Sequence, residues 1–219
     1  MDRFPCSGCK KECLSELLGT YLLVTIGPTS IILASLAPSL GSLESLVLIG
    51  FSFGATIAIV MVLLGIHSGG VINPAITIGA RLARTLQSRY LIPYISLEIL
   101  GGLLAGIILR IFPSTSSLTN PGSTRLSAGI YPILGIVIEA SGTFVLTISA
   151  LVATSYVKSP KLQALLVGST LFIMILLIGP QTGAGFNPAR SLCPALASDY
   201  FDNLTSTLLG RLSEQRSQD

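Results

Sequence analysis

The tripeptide Asn-Pro-Ala occurs twice, at Asn73-Pro74-Ala75 within HSGGVINPAITIGA and at Asn187-Pro188-Ala189 within QTGAGFNPARSLCPAL. Each copy follows a Gly-rich approach and begins a short, mostly apolar stretch, so each reads as a helix start with proline at the first position. A helix start offers unpaired backbone N–H groups and partial positive charge, and the asparagine side chain adds an amide donor. That is chemistry for recognising a neutral polar molecule while repelling cations. Covalent chemistry is not indicated: there is no paired nucleophile and base, no nucleotide-binding loop and no metal constellation, so the chain is not expected to be an enzyme or to hold a cofactor. Cys6-x-x-Cys9 is at most half of a zinc site, because only Cys13 is near and no histidine is.

The elements that must position these tripeptides are set by composition. The 219 residues are 50% hydrophobic and 11% charged with no tryptophan, and the mean hydropathy is +0.77. The apolar residues fall in runs of membrane-spanning length, which makes the chain an all-α, multi-pass membrane protein whose surroundings are lipid rather than nucleic acid. Spans are expected at about 14–37, 46–66, 90–112, 130–157 and 162–178. The first run is too long for a signal peptide, and no small-residue cleavage site follows it. The stretch from Ala75 to Ala83 would cover roughly 15 Å as a helix, half of a ~30 Å hydrocarbon core. It enters the membrane without crossing it.

Basic residues orient this layout. One side receives Arg3, Lys10, Lys11, Arg81, Arg84, Arg89, Lys158 and Lys161, the other only Arg110 and Arg125. The positive-inside rule therefore places the N-terminus in the cytoplasm.

The two halves repeat. Glu16-Leu17-Leu18-Gly19-Thr20 and Glu139-Ala140-Ser141-Gly142-Thr143 both read Glu-x-x-Gly-Thr, and each is followed by a second span and an Asn-Pro-Ala. Three spans separate the copies, so the second is inverted relative to the first, an arrangement that builds a site near the midplane. The half-helices then enter from opposite faces and meet at their N-termini. Glu16 and Glu139 are read as acceptors that hold the half-helix loops, since an intramembrane carboxylate needs partners. The approaches Ser68-Gly69-Gly70 and Gly183-Ala184-Gly185 line the path with carbonyls, because irregular backbone at this depth must face protein or a wet cavity.

With both Asn-Pro-Ala motifs, both Glu-x-x-Gly-Thr motifs and Asn187-Pro188-Ala189-Arg190-Ser191 in place, residues 14 to 197 resemble the aquaporin or major intrinsic protein family. The resemblance implies an aquaporin-like fold of full spans plus two re-entrant half-helices, a homotetramer, and a passive channel that excludes protons and ions. It also implies a four-residue selectivity filter. Twenty residues before Asn73 stands Phe53, twelve before Asn187 stands Ile175, three before it stands Ala184, and Arg190 follows the second Asn-Pro-Ala. The family's strict water channels have histidine where this chain has Ile175, and the Phe/Ile/small/Arg pattern is similar to archaeal aquaporins. The implied solutes are water and small uncharged molecules such as glycerol, urea or dissolved gases. Arg190 as a snorkelling anchor is the plainer alternative. Glu98 stands where the family usually has Gln and must find a partner or be protonated, as a pH gate or as a local structural substitution. His67, near the first loop, is read as a packed or loop-facing histidine, with a pH gate as the alternative, and Val71 replaces the histidine that commonly stands two before the first Asn in the family, so a loop hydrogen bond is absent. Phe51, Phe144 and Phe172 are read as packing residues, facing neighbours or lipid, while Gly101, Gly102 and Gly106 suit close helix contacts.

The domain reading is a cytoplasmic segment over 1–13, a channel domain over 14–197 (first repeat about 14–112, second about 130–197 and incomplete), and a polar tail over 198–219. After the second half-helix the chain reads SDYFDNLTSTLLGRLSEQRSQD, too polar and too short for the sixth span that the family has. Five full spans and two half-helices are therefore expected, with the sixth span missing. A non-conducting or truncated subunit with an assembly or regulatory role is the alternative function.

Overall fold

The computed structural model describes residues 10–37, 39–111, 124 and 126–197. Cys6, Cys9, most of the polar loop around residues 112–125, and the tail with its Asn203-Leu204-Thr205 sequon lie outside the described residues. The described chain is helical, in the order α1 (Lys10–Leu36), α2 (Ser42–Leu63), α3 (Gly65–Ser68), α4 (Pro74–Leu82), α5 (Ser88–Leu109), α6 (Pro132–Tyr156), α7 (Pro160–Thr182) and α8 (Pro188–Ala197). Five of these, α1, α2, α5, α6 and α7, are long and apolar enough to cross a membrane. The nine residues of α4 and ten of α8 are not, so the chain is an integral multi-pass membrane protein with two half-helices.

The helix ends follow local chemistry. Pro74 and Pro188 each open a half-helix, where a missing N–H costs nothing and a fixed φ is already helical. Pro160 opens α7 in the same way, with Ser159 as its cap accepting from the Leu162 N–H. Several boundaries shift by up to four residues from the sequence reading, and the end of α7 has a specific cause. α7 runs through Pro180 to Thr182, past the expected end at residue 178. The Ser127 hydroxyl donates to the Pro180 carbonyl, and the Ser127 N–H donates to the Gln181 carbonyl at 2.9 Å. Gly183, at φ 83°, then closes the helix by donating its N–H to the Gly179 carbonyl, the left-handed glycine stop.

Packing follows the repeat. α1 lies along α5 and α2, α2 crosses α7, and α6 lies along α7. The α2–α7 crossing is reciprocal: a Cβ on Gly54 would sit 2.5 Å from the Gly168 carbonyl oxygen, and one on Gly168 would sit 2.5 Å from the Gly54 oxygen. Small residues let two backbones touch, which is how helices associate where lipid removes the hydrophobic drive. Gly101 meets α1 in the same manner, with the Leu17 oxygen 2.4 Å from a Cβ position, while Gly102 meets the Ala189 oxygen and the Cys193 sulfur of α8. Phe51 and Phe144 point outward and Phe172 is half-buried against Gly50 and Gly54.

Gly54→Leu is expected to force α2 and α7 apart at a loss on the order of 1–3 kcal/mol. Fluorescence-detected size exclusion after graded heating in detergent reads this as a lowered melting midpoint, and an unchanged midpoint would refute the backbone contact.

Candidate functional site

The half-helices α4 and α8 meet N-terminus to N-terminus, and the sequence around each start determines how. Asn73 has extended φ and ψ of −156° and 114° and caps α4 by accepting from the Ala75 N–H at 2.9 Å. Asn187 accepts from the N–H groups of Ala189 at 3.0 Å and Arg190 at 3.3 Å. With each side-chain oxygen turned to its own helix, each amide nitrogen is turned to the other half. Asn73 Nδ2 donates to the Phe186 carbonyl and Asn187 Nδ2 donates to the Ile72 carbonyl, both at 2.9 Å. Each asparagine thus binds the residue that precedes the other. Both are buried.

The loops leading to these caps are irregular and buried, so their backbone groups need partners. Glu16 of α1 accepts from the N–H groups of Val71 and Ile72. Glu139 of α6 accepts from those of Gly185 and Phe186, both at 3.0 Å. The remainder of each Glu-x-x-Gly motif makes room for the same residue: a Cβ on Gly19 would lie 2.5 Å from the Ile72 side chain, and one on Gly142 would lie 2.1 Å from the Phe186 ring. The glutamate holds the backbone of Ile72 or Phe186 and the glycine, one turn on, seats its side chain. Those two residues need holding, for both are non-glycine at positive φ, 42° and 46°, a region that costs about 1–2 kcal/mol.

Two hydroxyls complete the loops, and neither was singled out from the sequence. Ser68 Oγ accepts from the Gly70 N–H at 3.1 Å and bonds to Glu16. Thr182 Oγ1 accepts from the Ala184 N–H at 3.3 Å and donates to Glu139. The register shift that carries Asn73 onto Asn187 also carries Ser68 onto Thr182 and Gly69-Gly70 onto Gly183-Ala184, so a residue-by-residue comparison of the two halves contains the signal. Ala184 takes φ 48° where Gly70 takes 63°.

Phe53, Ile175, Ala184 and Arg190 are all buried. Phe53, Ile175 and Ala184 share one apolar cluster, and the Arg190 guanidinium lies over the Phe53 ring at 5.2 Å from its centroid, within cation–π range. Gly27 of α1 leaves the space for that ring, since a Cβ there would stand 2.2 Å from it. At 2% exposure Arg190 does not snorkel. His67 is exposed and Val71 half-buried. Glu98 of α5 is buried and accepts from the Asn73 N–H at 3.1 Å and the Thr77 hydroxyl at 2.6 Å. Cys193 is buried and Cys13 half-buried, and neither is in a disulfide among the described residues.

Cavities open towards this region from both ends of the bundle. One of about 300 Å³ is lined by Gly69, Gly70, Val71, Ile76, Ala150 and Val167 among others, near the N-terminal end of α1. A second of about 420 Å³ at the opposite end is lined by Ile49, Leu126, Ile175, Gly179 and Gly183 among others.

Comparison with known proteins agrees with this geometry. The family model described as major intrinsic protein matches residues 5–212. Aquaporin AqpM of Methanothermobacter thermautotrophicus is 33% identical over 208 residues, covering 87% of this chain and 85% of that protein. Aquaporin Z of Photorhabdus laumondii is 32% identical over 195 residues, covering 85% of this chain and 84% of that protein. The X-ray structure of the aquaglyceroporin from Plasmodium falciparum shares the fold, with a TM-score of 0.75 at 21% identity over 93% of this chain and 87% of that one.

Glu139→Ala leaves the Thr182 hydroxyl and the Gly185 and Phe186 N–H groups, all on buried residues, without their acceptor, at about 1–3 kcal/mol for each buried donor. Hydrogen exchange read by mass spectrometry should show residues 182–190 exchanging faster than in the wild type, and equal protection would count against the carboxylate as the loop's anchor.

Proposed function

Because the chain belongs to the major intrinsic protein family, whose members are passive channels and not enzymes, we propose that it conducts water together with some small uncharged solutes, glycerol, urea or dissolved gases, and excludes protons and metal cations. The head-to-head meeting of α4 and α8, locked by the crossed asparagine bonds, carries this reading. Two helix N-termini aimed at one point make a positive centre that a cation must pay to approach and a neutral molecule need not. The asparagine amides present fixed donors beside it, and the Gly69 to Val71 strand along the cavity wall supplies acceptors opposite apolar Ile76, Ala150 and Val167.

The filter is proposed to be Phe53, Ile175, Ala184 and Arg190. Arg190, held over the Phe53 ring, is its one charge and gives it polar donors, while Ile175 and Ala184 leave the rest of the ring of residues apolar and small. Such a constriction favours solutes with both a polar and an apolar side over strict selection of water. The proposed orientation places the N-terminus in the cytoplasm, with Arg81, Arg84, Arg89, Lys158 and Lys161 on the same face. The proposed assembly is a homotetramer in the cell membrane.

Stopped-flow osmotic swelling of proteoliposomes tests the reading. Rapid swelling with water and measurable glycerol or urea uptake are expected, and swelling no faster than empty liposomes would overturn it. Ile175→His should lower glycerol uptake severalfold more than water flow, since it restores a polar, bulkier wall. Replacing both Asn73 and Asn187 by Asp weakens the positive meeting point, and a cation leak measured with a potential-sensitive dye is the expected outcome.

A further inference from the structure

Glu16 and Glu98 are both buried to 0% exposure and their carboxyl groups lie within hydrogen-bonding reach of each other. The donors around them are unequally shared. Glu16 faces the Val71 and Ile72 N–H groups and the Ser68 hydroxyl, so both of its oxygens act as acceptors. Glu98 spends only Oε1 as an acceptor, to Asn73 N–H and Thr77 Oγ1. Its Oε2 is fully buried and receives no hydrogen bond. Two adjacent carboxylates in a dry site repel, and a buried carboxylate oxygen with no donor is costly. A single proton on Oε2 resolves both faults, because the carboxyl then donates to Glu16 while its carbonyl oxygen keeps the two bonds it accepts.

We propose that Glu98 is a neutral carboxylic acid whose Oε2 proton is donated to Glu16, and that this shared proton makes Glu98 the positioning residue for Asn73. The N–H of Asn73 is tied to Glu98 Oε1, which fixes the cap and thereby aims Asn73 Nδ2 at the Phe186 carbonyl. Among the described residues, the other groups that bond to the pair are hydroxyls and backbone N–H groups, and further groups lie around it. From α1 come Glu12 and Cys13, and from α5 itself Tyr90 and Tyr94, whose hydroxyl donates to the Ser68 carbonyl at 3.3 Å. From α8 come Cys193, whose thiol donates to the Ile99 carbonyl, and Arg190, which lies over Phe53. α4 contributes the hydroxyl of Thr77, and on α3 His67 is exposed. Among the described residues the second half has no such pair of carboxyls, and Glu139 is met by one hydroxyl and two N–H groups. Loss of the proton at alkaline pH would leave two charges at one point behind Asn73 and loosen the cap of α4.

Infrared spectroscopy of the full chain in liposomes reads the proton directly. The carbonyl stretch of a protonated carboxyl is expected at neutral pH, lost in Glu98→Gln, and lost in the wild type as pH is raised. Should Glu98→Gln fail to fold, Thr77→Val removes a donor from Oε1 and should move the same band to higher frequency. Absence of the band from the wild type at neutral pH, its survival in Glu98→Gln, or no shift in Thr77→Val would overturn the proposal. The functional arm rests on the channel reading: wild-type water permeability should fall at alkaline pH, whereas that of Glu98→Gln should not vary with pH. An equal alkaline fall in both would refute the positioning role. The band needs no flux, so a chain that failed to swell would sink the channel reading and still leave the proton to be decided by the spectrum.

Discussion

Backbone that is not helical has no water to turn to at membrane depth, and each buried N–H left unpaired costs several kcal/mol in hydrocarbon (~2–7). The two loops of this protein exist because two glutamates meet that demand. Glu16 and Glu139 each take two consecutive N–H groups, and with the loops tied down, Ile72 and Phe186 can hold the positive φ angles that turn the chain into its half-helices. The glycine one turn beyond each glutamate is part of the same device, since it seats the side chain whose backbone the carboxylate holds. Everything at the meeting point, from the caps to the crossed amides, follows from those two anchors.

The symmetry of the anchors is chemical before it is geometrical, and it is incomplete. Glu16 is wholly buried, whereas Glu139 is only half-buried. α5 covers the first anchor with Glu98 and Tyr94, and among the described residues no helix lies correspondingly over α6. The same difference appears at the caps: the Asn73 N–H is received by Glu98, a third carboxyl that has no mate among the described residues of the second half. Among the described residues, the first anchor therefore has a second carboxyl beside it, whereas the anchor of the second repeat has the Arg190 guanidinium within electrostatic reach.

The five spans and two half-helices were legible in the chain because long apolar runs, proline at helix starts and chain length are local properties. The residues that meet at the centre were legible as a set because they recur: Asn73 with Asn187, Glu16 with Glu139. Their pairings were not, because a hydrogen bond between Asn73 and the Phe186 carbonyl depends on how two distant segments approach. Nor does any propensity place Ile72 or Phe186 at positive φ, since both are poor residues for that region and are held there by partners remote in sequence. The fifth span was expected to end at residue 178, yet the bonds from Ser127 to residues 180 and 181 and the glycine stop at 183 carry α7 to Thr182, about one turn nearer to the second loop. The serine and threonine at 68 and 182 are ordinary residues whose importance shows only when the halves are aligned.

The crossed bonds also have a consequence for how the protein is made. Asn73 finds its acceptor on Phe186, and Ile72 finds its donor on Asn187, so each half supplies what the other lacks. Chains are built from the N-terminus at about 5–20 residues per second, and during that interval the first loop sits in the bilayer with its amide and carbonyl waiting. The ordered centre therefore needs both halves present. Until α8 arrives, the first half is a membrane-inserted segment with an unfinished polar core, and its closure is an act of assembly between two parts of one molecule.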